Sequence, residues 1–260
     1  MSNRSDFSSD LWRCRWTCPE PRPLSQRHGD MLTEIVATMP RARPGGREVL
    51  DAVGVELKLS MLLVGPDPIA EGEVDNDYWD KKCRLLFLRP AIEPVAISYW
   101  PRLAGMDLDV ERAQKIVSAL TTQAQVVRTR EGVGRSASGN VGFEPPDRAR
   151  EWLDRLKEAQ AKPELASVMP AYVFASTIMA HPFADGNGRL ARLLTLGALA
   201  RLAGWDGPIV GLAPSFYRRA ESMGAALDEL TFTGNWDRYF EVFIDIMADV
   251  KSLMTALAGR

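Results

Sequence analysis

The sequence predicts an all-α fold, a helical bundle with one small β-hairpin flap, on three observations. Apolar residues recur at three- and four-residue spacing over long stretches, as do Leu50, Val53, Leu57, Met61 and Val64 within residues 47–64; that is the period of an amphipathic helix. Strand-like text is confined to residues 127–144, where Val127, Val133 and Val141 are interleaved with Arg, Gly and Ser, a pattern that reads as a short hairpin. Breakers such as Gly65-Pro66-Asp67-Pro68 and Gly234 fall between the helical stretches, where they end elements without disrupting them.

In chain order, residues 1–29 mix Ser, Arg and Pro with Trp12 and Trp16 and are expected to be a flexible arm, its Trp side chains able to dock on the body. Residues 30–260 are expected to form one domain. A helix is expected over 47–64 and another over Asp109–Val126, with Val110, Ala113, Ile116, Val117 and Leu120 on one side. Pro145-Pro146 opens a helix running to about Gln160, since proline is well tolerated in a first turn. Three long apolar segments follow, roughly 164–181, 188–203 and 213–258, the last broken near Gly234.

Composition excludes several classes. A hydrophobic share of 46% with 25% charged residues is that of an ordinary globular protein and argues against wholesale disorder. The net charge of -2 gives no polyelectrolyte signal, so neither nucleic acid nor a membrane surface is an expected partner. Cys14, Cys18 and Cys83 are too few for a disulfide scaffold and have no accompanying His, so they read as reduced thiols. No run approaches the ~20 apolar residues of a membrane span, and the N-terminus lacks an apolar signal-peptide core. The expected location is the cytoplasm, with delivery outside the producing cell left open.

One segment carries chemistry. His181-Pro182-Phe183-Ala184-Asp185-Gly186-Asn187-Gly188-Arg189-Leu190-Ala191-Arg192 is a polar, glycine-rich loop between two apolar helical stretches. A plain helix–loop–helix would explain Pro182 and the glycines as breakers. The order of residues points instead to phosphate chemistry. Gly186-Asn187-Gly188 runs into a helix N-terminus, where unpaired N–H groups and the dipole favour an anion. Arg189 and Arg192 share one helical face and could clamp a polyphosphate. Asp185 could hold Mg²⁺, a hard ion suited to carboxylate and phosphate oxygens. His181 can take a proton near neutral pH. The nucleotide loop GxxxxGK(S/T) is not present here, because no Lys-Ser or Lys-Thr follows the glycine.

The segment resembles the signature of the Fic (Fic/Doc) family, HPFx(D/E)GNGRxxR, at every specified position. The resemblance extends more weakly over about residues 45–250, through Phe143-Glu144-Pro145-Pro146 and through Trp236, Tyr239, Phe240 and Phe243. It implies a Fic-type helical bundle with a β-hairpin flap and a protein adenylyltransferase activity, AMP passing from Mg·ATP to a Ser, Thr or Tyr hydroxyl of a protein. On the same resemblance, His181 is the base, Asp185 the Mg²⁺ ligand, and Gly186, Asn187 and Gly188 the anion hole. Arg189 then supports the diphosphate, Arg192 meets the γ-phosphate, Phe183 anchors the loop in the core, and the hairpin near 128–142 holds the target chain by strand-like pairing. The partners it implies are a protein bearing a hydroxyl side chain, with room for a homo-oligomer or a separate regulatory chain.

Many Fic proteins carry an inhibitory helix of pattern (S/T)xxxE(G/N). The stretch 47–64 resembles its N-terminal version, with Val64 in the place of the inhibitory Glu; an amphipathic core helix explains the same spacing. Two other functions compete with AMP transfer. One is a Fic-type transferase with another donor (UMP, phosphocholine or phosphoryl transfer). The other is a nucleotide-binding interaction protein without turnover, against which an intact His181 argues.

Overall fold

The computed structural model describes residues 14–39, 108–121, 123–136, 139–204 and 212–258. The helix expected at 47–64, with Val64, lies outside the described residues, as do Trp12 and Cys83. The described elements run β1 (Cys14–Arg15), α1 (Gln26–Thr38), α2 (Val110–Thr121), β2 (Val133–Ser136), β3 (Gly139–Gly142), α3 (Pro146–Gln160), a 3₁₀ turn (Pro163–Leu165), α4 (Met169–Ala180), α5 (Asn187–Ala203), α6 (Leu212–Arg218), α7 (Ala220–Thr233) and α8 (Asp237–Ala258). The fold is all-α with a small β flap, as predicted.

The centre is the helical hairpin α4–α5, whose two helices pack on each other more extensively than any other pair. All of α4 except Ile178 is buried, as is α5 from Leu193 to Ala200, so neither shows the one-sided stripe of a surface helix. Around this pair, α2 and α1 lie against α5, α3 lies against α4, and α8 packs on α1, α6 and α7. The closing helix is tied in by aromatic groups: Trp236 stacks on Phe240 at 5.4 Å, and the Tyr239 hydroxyl donates to the Ala171 carbonyl of α4 at 2.8 Å.

Two boundaries differ from the sequence reading. Helix α2 ends at Thr121, not Val126. The Thr121 hydroxyl bonds back to Val117 O at 2.9 Å, and Ser118 Oγ accepts the Gln125 N–H at 2.9 Å, so the chain folds over the last turn. Such local side-chain bonds compete with the helical ladder. The stretch 213–258 is broken at Arg219 as well as at Gly234. Arg219 turns its guanidinium onto Asp249 and Asp245 of α8, at 3.0 and 3.1 Å.

The described part of the expected N-terminal arm is built into the body. Strand β1 pairs in parallel with β3, Cys14 opposite Val141, while β2 and β3 form the antiparallel hairpin with Val133 opposite Gly142. Trp16 is buried; its backbone N–H donates to Gly142 O at 2.7 Å and its indole N–H to Asp228 Oδ1 at 2.7 Å. Two long-range hydrogen bonds and a buried indole offset the entropy that would otherwise leave such a segment loose. The boundary read at residue 29 falls inside α1, which starts at Gln26 behind Ser25; the Ser25 hydroxyl accepts the His28 N–H at 3.2 Å. No described helix is long and apolar enough to cross a membrane.

Candidate active site

His181 closes α4 in a left-handed conformation, φ 44° and ψ 58°. It is the one non-glycine residue with positive φ among the described residues. A non-glycine side chain held there stores strain that the surroundings must sustain. The imidazole stacks face to face on Phe143, ring centroids 3.7 Å apart and planes 4° from parallel. Its Nδ1 lies 3.3 Å from Ile178 O. A carbonyl can only accept, so that bond places the proton on Nδ1 and leaves the Nε2 lone pair free in the neutral ring. Burial pulls the His181 pKa down to about 4, assisted by the Arg128 cation and opposed by the bond to Ile178 and the Asp185 charge. The ring is therefore neutral at pH 7.

The loop after His181 is closed by its own residues. The buried Asn187 accepts the Phe183 N–H at 2.9 Å and donates to Phe183 O at 2.8 Å. Phe183 is wholly buried and meets Trp152 edge-on at 6.5 Å. Gly186 stands at φ 82° against α2; a Cβ there would meet Thr121 Cγ2 at 2.7 Å and Val117 Cγ1 at 2.8 Å. Asp185 is exposed, with its Oδ1 accepting the Gly186 N–H at 2.6 Å and its Oδ2 3.2 Å from Arg189. Arg189 also donates to Leu120 O at the end of α2. Arg192 folds back over the first turn of α5, where a Cβ on Gly188 would stand 3.5 Å from its Nη1. No side chain caps the start of α5, so its first N–H groups have no partner within the helix and the dipole there favours an anion.

The structure thus brings His181, Asp185, Gly186, Gly188, Arg189 and Arg192 to one loop and one helix start. Two residues of the sequence pattern turn inward: Phe183, as expected, and Asn187, whose side chain fastens the loop. Among the described residues no group of three or more His, Cys, Asp or Glu side chains could hold a metal. A lone exposed carboxylate beside a helix N-terminus still suits Mg²⁺, which takes most of its ligands from phosphate and water.

Residues 107–199 match the model of the Fic/DOC family. The chain carries a Fic/DOC family domain. The match runs from the start of α2 through the flap and the His181 loop into α5, the elements that build the site. No curated protein matches the chain. Solved structures share the fold at low identity. A Fic family protein from Desulfovibrio desulfuricans is 15% identical with a TM-score of 0.60, over 92% of this chain and 77% of its own. A Fic-domain signalling protein from Bacteroides thetaiotaomicron is 14% identical with a TM-score of 0.54, over 88% and 94%. An IbpAFic2 variant in complex with adenylylated Cdc42 is 17% identical with a TM-score of 0.52, over 90% and 72%.

Two features of the Fic/DOC site were not legible in the sequence. Arg128 donates from Nε to His181 O at 2.7 Å and from Nη2 to Ala180 O at 2.8 Å and to Glu144 O. Nothing in the run of Arg, Thr and Gly around it singles it out, and its partners Ala180 and His181 lie some fifty residues on. Glu144 is fully buried, pairs with Arg155 at 2.5 Å, and accepts the Cys18 N–H at 3.0 Å. A carboxylate between Phe and two prolines carries no local sign that it will anchor the N-terminal segment to the flap.

Proposed function

We propose that this Fic/DOC protein transfers AMP from Mg·ATP to a side-chain hydroxyl of a protein. The observation that carries the reading is the neutral His181 imidazole, Nε2 free, next to an uncapped helix N-terminus bearing Arg189 and Arg192. A base poised neutral and an anion cradle adjoining it are what transfer to a hydroxyl from a polyphosphate requires.

In the reaction, the target oxygen attacks the α-phosphorus and the P–O bond to the β-phosphate breaks. Pyrophosphate leaves with the bonding pair, and the hydroxyl proton passes to Nε2 of His181. The N–H groups at the start of α5 take phosphate charge. Arg189, fixed to Leu120 O and Asp185, supports the diphosphate, and Arg192 meets the γ-phosphate. Asp185 would hold the Mg²⁺ of the nucleotide, which would neutralise phosphate charge. The target segment adds as a strand beside the flap. An adenylylated protein in complex with a structurally similar Fic protein supports a protein substrate as the class of acceptor.

Intact-mass analysis after incubation with Mg·ATP and candidate proteins, the chain itself included, tests the reading. An added AMP in the parent, and none in His181→Ala with ATP binding intact, is the expected result; base loss costs about a hundredfold or more in rate. Adducts only from UTP, a phosphocholine nucleotide or the γ-phosphate of ATP would change the donor. Full labelling by His181→Ala would remove the base assignment.

A further inference from the structure

The last carbonyls of α4 are the acceptors that a helix cannot satisfy internally. Here one residue takes the last of them, on Ala180, and the two carbonyls that follow. The Arg128 guanidinium donates to Ala180 O and His181 O, and the Arg128 backbone N–H donates to Pro182 O at 2.8 Å. Next to it, Val127 makes an isolated antiparallel bridge with Phe183. A guanidinium at a helix C-terminus is also favoured by the dipole. The backbone it grips is the left-handed turn at His181, a conformation that does not persist unless its neighbours impose it.

The same guanidinium reaches the flap. It donates to Glu144 O, and the Glu144 N–H donates in turn to Met179 O at 3.0 Å. Glu144 follows Phe143, whose ring covers the imidazole. Gly132 and Gly134 also lie against that ring; a Cβ on Gly134 would stand 2.3 Å from Phe143 Cζ. Arg128 therefore joins the backbone beneath His181 to the residue that follows the ring stacked on it.

We propose that Arg128 is a positioning residue for the base: by holding the Ala180, His181 and Glu144 carbonyls at once, it fixes the imidazole between the α4 C-terminus and Phe143. Arg128 touches no reacting atom, and its effect passes through His181. The proposal rests on His181 being the base. Lysine could keep the charge but not the fork, which needs several N–H groups in one plane.

The test uses the full chain with Arg128→Lys and Arg128→Ala, each checked by thermal melting and ATP calorimetry. The expected kcat for labelling falls by about tenfold or more, since small misplacements of a reacting group are costly, while KM for ATP stays within about twofold. The His181 ring signals, followed by NMR without substrate, move in both variants. Their titration midpoint rises in Arg128→Ala, which loses the cation, and stays low in Arg128→Lys. Millimolar guanidinium restores part of the Arg128→Ala rate. Unchanged ring signals, parent kcat in a folded variant, equal losses of rate and ATP binding, or unfolding of both variants would each overturn the proposal. His181→Ala run alongside separates the two readings. If it labels like the parent, the base assignment fails. If it is inactive while both Arg128 variants keep the parent rate, only the role of Arg128 falls.

Discussion

Gly186 and Gly188 both belong to the sequence pattern, and both were assigned to the anion hole, yet the structure gives them different reasons to be glycine. Gly186 has a φ of 82° and no room: an added methyl would lie 2.7 Å from Thr121 Cγ2 and 2.8 Å from Val117 Cγ1. The backbone conformation costs an alanine about 1 kcal/mol, and forcing a methyl against α2 costs about 1–3 kcal/mol more. Gly186→Ala should therefore destabilise by about 2–4 kcal/mol, a lowering of the melting temperature of about 2–4 °C per kcal/mol for a chain of this size. Gly188 lies inside α5, where an added methyl meets only Arg192 Nη1, at the ordinary distance of 3.5 Å. Gly188→Ala should leave the fold as stable as before or raise it by a few tenths to about 1 kcal/mol through helix propensity. Any loss of ATP binding in that variant then reports the close approach of phosphate to the backbone. Circular-dichroism melting of both variants, followed by calorimetry with Mg·ATP, checks the pair. Equal melting temperatures for Gly186→Ala and the parent would refute the packing of the loop on α2.

Three further outcomes are expected. Arg192→Ala should weaken ATP binding more than ADP binding, by about 1.5–3 kcal/mol for a lost charge-assisted contact; equal losses measured by calorimetry would place Arg192 away from the γ-phosphate. His181, with a pKa lowered to about 4 against an ordinary 6.5, binds fewer protons folded than unfolded between those values. Its contribution to stability is complete above pH 6.5, declines as pH falls toward 4 and is then level, a change of up to about 3 kcal/mol; urea melts across that range should show it in the parent and not in His181→Gln, and parallel curves would count against the buried neutral ring. Val64→Glu should label much less than Val64→Gln, both verified by melting, if position 64 is where the family's inhibitory carboxylate pairs with the second arginine; similar activity would leave 47–64 without a regulatory part.

Much of the site could be read from the chain because its parts are contiguous. Breakers, helix start, arginine spacing and the candidate base all fall within His181–Arg192, and Pro145-Pro146 marks the start of α3. What escaped depends on distant partners. Docking of Trp16 was expected, but not its acceptor Asp228, more than two hundred residues on. Helix α2 was expected to run to Val126; hydroxyl bonds of Ser118 and Thr121 close the chain over its last turn at Thr121 instead. The break at Arg219 has no Gly or Pro to announce it, and the ion pairs of Arg219 there are with Asp245 and Asp249, some thirty residues on. The role of the Asn187 side chain also escaped: its amide matches the N–H and C=O of Phe183 and fastens the loop.

The Asn187 amide shows how such a short segment can be shaped before any nucleotide arrives. Phe183 with Asn187 and Asp185 with Arg189 close the loop at four-residue spacing, and Gly186 lies flat on α2. These bonds satisfy the buried polar groups of the loop, and with no side chain capping α5 they leave its first N–H groups and Nε2 of His181 available to the proposed transfer. A phosphate at these N–H groups leaves the Phe183–Asn187 bonds in place, so little of its binding energy is lost to rearranging that part of the loop. The base is the exception. Its strained turn is not held by the loop but by Arg128, which also grips the flap. Anion binding and base placement are accordingly fastened by different residues, and substitutions should separate them: changes at Asn187 or Gly186 act first on stability and nucleotide binding, and changes at Arg128 act first on the rate.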